Sequence, residues 1–280
     1  MEYIKLNNDV MIPAVGYGVF QIKNEDTANS VETALGIGYR MIDTAQAYYN
    51  EEGVGKGIKN SGVPRQDIFL TSKVWISNAG EQKATASIDE SLRKLNTDYI
   101  DLMLIHQHYG DYYGTWRALE KALAAGKVRA IGVSNFDEGR FFDLAKYNSI
   151  VPAVNQLQTN VFNQQNKMDK FLSSYNTKII AWSPLTQGSS DLYSNEILIQ
   201  IAEETSQSVA KVALRYLLQR GIVVIPKSVR RERMEQNLDL FGFSLSDEQM
   251  KRISSLNQHD NGTVAFDDPK FIKWLTDTYS

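Results

Sequence analysis

The chain contains no cysteine. That excludes disulfide staples, thiolate nucleophiles and cysteine-held metals, and leans only weakly towards a reducing compartment. Histidine is scarce too: His106, His108 and His259 are the whole complement. His106 and His108 are two apart and share a strand face, but a zinc site needs a further ligand, so no metal is expected. No segment reaches the roughly 18 consecutive apolar residues of a membrane span. The first residues, Met-Glu-Tyr-Ile-Lys-Leu, lack the basic-then-apolar pattern of a signal peptide. With a net charge of −3 there is no dominating basic patch, and nucleic acid is not an expected partner. Low-complexity segments, linkers and internal repeats beyond a β/α alternation are missing. The expectation is a soluble, cytoplasmic monomer with no membrane or nucleic-acid partner. A Gly-x-Gly-x-x-Gly between strand and helix is absent as well; the nearest case, Gly16-Tyr17-Gly18, lacks the third glycine and the following helix. This argues against a doubly wound open sheet.

What is present is ordinary in bulk: 280 residues, 42% hydrophobic, 22% charged. A chain this long buries roughly 75% of its unfolded surface without staples. It reads as one domain over residues 1–280. Short apolar runs at 14–17, 39–42, 68–74, 101–105, 128–133, 151–156, 178–182 and 222–225 read as strands buried on both faces. Between them, amphipathic stretches at 25–36, 50–60, 81–95, 114–125, 137–147, 164–175, 208–219 and 230–239 read as helices. Several have a capping residue before them, as at Ser134-Asn135-Phe136-Asp137-Glu138, or a glycine after, as at Gly126 and Gly221. Eight β-then-α units predict an α/β fold of the (β/α)8 (TIM) barrel class. Tyr3–Leu6 and Val10–Ile12 around Asn7-Asn8-Asp9 predict an N-terminal β-hairpin able to plug the barrel floor. Segment 183–195 reads as a long loop, and 257–280 as a C-terminal extension over the barrel mouth.

Three predicted strands end in ionisable residues. Arg40-Met41-Ile42-Asp43 ends in a carboxylate, Phe69-Leu70-Thr71-Ser72-Lys73 leads to an ammonium, and Leu104-Ile105-His106 ends in an imidazole. A buried lysine is costly without compensation, and the strand C-termini of a barrel carry its active sites. With Tyr48 just beyond Asp43, the set suits proton transfer to a carbonyl oxygen during hydride reduction. An ordinary tyrosine has a pKa of about 10. One ammonium about 4 Å away supplies on the order of 4 kcal/mol at an effective dielectric of 20, against the desolvation of the phenolate. Other readings stay open on residue chemistry alone. Asp43 and Lys73 could be a structural ion pair, His106 a hydrogen-bonded barrel histidine, and Tyr48 one of fourteen tyrosines. Its neighbour Tyr49 is an equal candidate.

Gly38-Tyr39-Arg40-Met41-Ile42-Asp43-Thr44-Ala45, then Tyr48, Asn50 and Glu51, resembles the aldo-keto reductase signature. Ser72-Lys73-Val74-Trp75, Leu104-Ile105-His106, Gly132-Val133-Ser134-Asn135-Phe136, Asn155-Gln156, Ala181-Trp182-Ser183-Pro184-Leu185 and Ile225-Pro226-Lys227-Ser228-Val229 follow in the family's order. The resemblance runs from about Gly16 to about Leu256, and is nearest to the bacterial 2,5-diketo-gluconate and general aldehyde reductase branch. It implies NADPH-dependent reduction of aldehydes, some ketones and dicarbonyls by a tetrad of Asp43, Tyr48, Lys73 and His106, with Tyr48 as general acid. It implies that Ser134, Asn135 and Gln156 hold the nicotinamide carboxamide and that Trp182, where tyrosine is frequent, stacks on the ring. Lys227, Ser228 and Arg233 match the family's 2′-phosphate clamp, and Gln236 and Asn237 its adenine contacts. Gly18, Val19, Ser183, Leu185 and Val229 complete the implied cofactor surface. The implied substrate pocket takes Phe20, Tyr49, Trp75, Gln107 and His108 beside Val19, with parts of 183–195 and 257–274. Gln107-His108 departs from a frequent Trp-Pro and makes the rim more polar, which points to small polar or dicarbonyl substrates. The alternative is an NADPH-sensing subunit with little turnover. An intact tetrad argues against it, because a sensor needs no proton donor. A barrel lyase or isomerase also uses strand-end lysines but leaves the nicotinamide-side motifs unexplained.

Overall fold

The computed structural model describes residues 2–258 and 264–278. The elements, in order, are β1 (Tyr3–Lys5), β2 (Met11–Pro13), β3 (Tyr17–Gly18), α1 (Asn24–Ile37), β4 (Met41–Asp43), α2 (Glu51–Ser61), β5 (Phe69–Val74) and α3 (Glu81–Leu95). Then come β6 (Ile100–Ile105), α4 (Tyr112–Ala124), β7 (Val128–Ser134), α5 (Glu138–Tyr147), β8 (Val154–Gln158), α6 (Asn166–Ser173) and β9 (Lys178–Trp182). The chain continues through α7 (Ser190–Ser194), α8 (Glu196–Thr205), α9 (Val209–Gln219), β10 (Val223–Val224), α10 (Arg231–Leu238), α11 (Asp247–Ser254) and α12 (Pro269–Thr278).

Strands β3 to β10 form one eight-stranded parallel sheet in sequence order. Its two ends meet: Val15 bridges Val224 in parallel, with Gly16 N donating to Val224 O and Val224 N to Ala14 O. The result is an α/β fold of the (β/α)8-barrel kind. Outside that sheet, β1 pairs antiparallel with β2, Tyr3 opposite Pro13.

The pleat sorts the side chains. Successive strand residues face opposite sides. Met41, Phe69, Leu102, Leu104, Ala130, Val154, Ile180 and Val223 pack together with Leu6 and Ile12 in one buried cluster. Their neighbours Ile42, Leu70, Met103, Ile105, Ile131, Ile179 and Val224 join the larger cluster that includes the helices. Carrying the inward alternation one or two steps towards the strand C-termini reaches Asp43, Lys73, His106, Ser134, Gln156 and Trp182. One polar layer thus caps the apolar filling at the end where the β-to-α loops begin.

The elements depart from expectation in a few places. The first strand is shorter than 14–17 and centred later, with Val15 contributing only the closing bridge. The sixth begins at Val154 rather than 151. Segment 183–195 is not all loop, since Ser190–Ser194 is helical. Helix α8 was not expected. Its run Ile197-Leu198-Ile199-Gln200-Ile201 places a β-branched isoleucine at every second position, but Asn195 caps its start by accepting from Leu198 N, and Leu198, Ile201 and Ala202 are buried. Helix α11, also outside the expected elements, starts with a capping box formed by Ser246 and Gln249. Of the extension 257–280, residues 259–263 and 279–280, His259 among them, lie outside the described residues. Among the described residues, no helix is long and apolar enough to cross a membrane.

Candidate active site

Lys73 is fully buried near the end of β5. Its Nζ donates to Asp43 Oδ1 at 2.6 Å, to Thr44 O at 2.8 Å and to Tyr48 Oη at 3.4 Å. Burial drags the ammonium's pKa down, but the Asp43 carboxylate and then the Tyr48 oxygen outweigh it, and the net direction is up. The other carboxylate oxygen, Asp43 Oδ2, accepts from Gln156 Nε2 at 2.8 Å. A chain of polar contacts therefore runs from β8 through β4 and β5 to Tyr48. Tyr48 closes the short 3-10 turn Gln46–Tyr48 after β4. Its ring meets Phe20 at 4.9 Å and His106 edge-on at 5.6 Å between centroids. Burial, then the Lys73 charge, pushes the His106 imidazole well below its usual pKa, so the ring is neutral in the folded protein.

Asn135 and Ser183 both adopt left-handed backbone, φ 61° and 56°, a costly conformation for residues with a Cβ. Asn135 Oδ1 accepts from Trp182 Nε1 at 2.9 Å, and its Nδ2 lies 3.3 Å from Gln107 Oε1. Ser134 Oγ donates to Gln156 O.

These residues line a cleft of about 980 Å³ that also takes in Lys227, Ser228, Val229, Arg233, Gln236 and Asn237. Most of the sequence-derived candidates converge there: Gly18, Phe20, Asp43, Tyr48, Trp75, His106, Gln107, Ser134, Asn135, Gln156, Trp182, Ser183 and Leu185. Lys73 stands behind the wall and touches the cleft only through Tyr48 and Asp43. Three others do not line it. Val19 is sealed in the outer core, where its N–H donates to Asp43 O. Tyr49 leaves the 3-10 turn in left-handed backbone and points to solvent at 63% exposure. His108 is buried with Nδ1 2.7 Å from Asn135 O and its ring against Tyr109, Phe136 and Phe266. The chain leaves β6 at Ile105, so strand alternation no longer governs these three: consecutive His106 and Gln107 both line the cleft, while His108, expected to share a face with His106, is buried away from it.

Some supporting residues had no assigned role. Gln46 Oε1 accepts from Trp75 N and Asn78 Nδ2, while its Nε2 donates to Ser87 O and Ser91 Oγ. Asn50, fully buried, accepts from Thr44 Oγ1 and donates to Val19 O and Ile22 O. Asn50 belongs to the signature and Gln46 falls between its members, but only the folded structure reveals which partners they meet. The C-terminal segment adds Phe266, Phe271, Trp274 and Leu275 to the wall, with Tyr109 Oη donating to Phe266 O at 2.5 Å. Among the described residues no group of three His, Cys, Asp or Glu could hold a metal ion.

The model of the aldo/keto reductase family matches residues 14–258. The chain belongs to that family. It is accordingly an oxidoreductase. Glyoxal reductase of Bacillus subtilis (strain 168) is 47% identical over 261 residues, covering 92% of this chain and 94% of the relative. An aldo-keto reductase from a Medee basin deep-sea metagenome library superposes with a TM-score of 0.92 at 42% identity, covering 95% of this chain and 98% of that one. The Bombyx mori aldo-keto reductase, solved in complex with NADP, gives 0.89 at 32% identity, covering 97% and 96%.

Proposed function

We propose that the chain reduces aldehydes, some ketones and small dicarbonyls to alcohols, with NADPH as hydride donor and Tyr48 as proton donor. The observation that carries this reading is the Lys73 ammonium held 3.4 Å from the Tyr48 hydroxyl and 2.6 Å from Asp43. A phenolate and an ammonium at that separation attract by about 5 kcal/mol at an effective dielectric of 20. Desolvation of the phenolate offsets part of this. The ammonium thus eases loss of the Tyr48 proton, and Asp43 keeps that ammonium charged. Neutral His106, edge-on to Tyr48, offers a ring nitrogen to orient the carbonyl oxygen.

The residues present fit the dinucleotide. A Cβ on Gly18 would stand 3.1 Å from Ile225 O, so glycine there lets β3 lie close against the segment that carries Lys227. Among the described residues, Lys227, Arg230 and Arg233 are cleft-lining cations that enter no ion pair, and Lys227 and Arg233 suit a 2′-phosphate. Ser134, Asn135 and Gln156 offer hydroxyl and amide groups for a carboxamide, Trp182 a flat indole face, and Gln236 and Asn237 amides for an adenine. Bound NADPH supplies the hydride that reaches the carbonyl carbon. Tyr48 gives its proton to the oxygen as that C–H bond forms. The NADP complex of the Bombyx mori relative supports the cofactor, and the likeness to a glyoxal reductase supports small dicarbonyls. We read the whole chain as one domain, with β1–β2 plugging the barrel floor through Leu6 and Ile12 and the C-terminal segment covering the mouth through Phe266 and Phe271.

The test is Tyr48→Phe. NADPH oxidation with glyoxal or a simple aldehyde should collapse, while quenching of tryptophan fluorescence still reports NADPH binding. Turnover near the wild-type rate in the variant would remove Tyr48 from the role.

A further inference from the structure

Strand β3 works as a ruler for the segment that follows β10. Gly16 N donates to Val224 O at 2.8 Å and Gly18 N to Pro226 O at 3.3 Å. Between them, the phenol of Tyr17 reaches further and donates to Ser228 O at 2.7 Å. Gly16 and the two residues of β3 thereby pin alternate carbonyls of 224–228, a stretch that beyond Val224 has no regular structure of its own. Tyr17 is fully buried, and its ring leans on Tyr39 with centroids 5.6 Å apart. Tyr39 in turn donates to Met234 O of α10 at 2.9 Å. The two phenols therefore hold, from behind, the two parts of the cationic wall: the loop with Lys227 and Ser228, and the helix with Arg233.

We propose that Tyr17 is a positioning residue that sets the Lys227–Ser228 loop for a 2′-phosphate and so contributes to discrimination between NADPH and NADH. This rests on the reading of Lys227, Ser228 and Arg233 as a phosphate clamp. Tyr17 does not line the cleft, so its effect must pass through the backbone it holds. Irregular backbone is free to drift unless its carbonyls are fixed, and phosphate recognition by a hydroxyl and an ammonium is sensitive to where the backbone puts them. Burial pushes the Tyr17 hydroxyl's pKa up, so it stays a donor across the working pH range.

Tyr17→Phe keeps the ring, its packing and its volume and deletes one hydroxyl. Dissociation constants for NADPH and NADH are measured by fluorescence titration for the wild type and the variant, with thermal melts to confirm folding. The expected result is a roughly five-fold weaker NADPH complex, the size of one lost hydrogen bond, with NADH affinity changed by less than about two-fold. Equal weakening of both dinucleotides would make Tyr17 a general structural support and overturn the inference. So would unchanged affinities in a variant that retains wild-type discrimination. A wild type that binds the two dinucleotides equally would instead remove the clamp reading, and this inference with it. Arg233→Ala separates the two failures, because it tests the clamp without touching Tyr17.

Discussion

Lys73 Nζ and Asp43 Oδ1 lie 2.6 Å apart, with side chains 0% and 2% exposed. A pair this deep is weak evidence for stability, because desolvation offsets much of its attraction. Removing one partner is another matter. Lys73→Met should leave the Asp43 carboxylate facing Gln156 alone and cost about 3–5 kcal/mol in urea unfolding, together with a roughly hundred-fold or greater loss of turnover. The double variant Asp43→Asn/Lys73→Met should recover most of the stability and none of the turnover. Recovery of both would mean that the charge pair has no part in the chemistry.

Arg233→Ala should weaken NADPH binding by about 10–100-fold, the range of a hydrogen bond to a charged group, and leave NADH little affected. Raising the salt concentration should narrow the gap between wild type and variant, because Arg233 is exposed and screening acts on it. A change under about two-fold would take Arg233 out of the clamp.

The buried, neutral His106 links stability to pH. Burial and then Lys73 lower its folded-state pKa well below the ordinary 6.5. As the pH falls below that ordinary value, the unfolded chain takes up a proton that the folded protein refuses. The stability contribution is therefore complete above about pH 6.5 and is lost as the pH drops towards the folded-state value, at up to about 1.4 kcal/mol per unit. His106→Gln should flatten the decline in unfolding free energy between pH 7 and 5.5. A variant with the wild-type slope would show that other groups carry the effect.

Two helical glycines should respond in opposite senses to alanine. A Cβ on Gly55 in α2 would lie 2.5 Å from Leu95 O, a backbone atom that cannot swing aside. Overpacking there should outweigh the helix-propensity gain and destabilise by about 1–2 kcal/mol. Gly36 in α1 has nothing within 4 Å of its Cβ position, and Gly36→Ala should stabilise by up to about 1 kcal/mol. Thermal melts of the two variants would decide it; a stabilised Gly55→Ala would show that α2 and α3 can separate at no cost.

Much of the barrel was legible because its strands and helices differ in period. The sequence ranges 81–95 and 178–182 coincide with α3 and β9, and most other elements differ by a few residues at their ends. Helix α8 was hidden because Ile197, Ile199 and Ile201 carry a strand-like pattern that packing against neighbouring helices overrides. Helix α11 does carry a local mark, the Ser246 and Gln249 capping box.

The sequence by itself determined the alternation of eight strands and helices and the placing of a carboxylate, an ammonium and an imidazole at strand ends. Both depend on local period and on position along a strand, which any chain displays in its residue order. The tertiary structure alone decided which neighbours of those residues share the cleft. Tyr48 turns in while Tyr49, one residue on, points to solvent, and Gln107 lines the wall while His108 is buried against Asn135 O. It also decided that Tyr17 reaches Ser228, 211 positions away. Such pairings arise only when the sheet closes on itself through Val15 and Val224, and contacts across so long a loop leave no mark in local pattern.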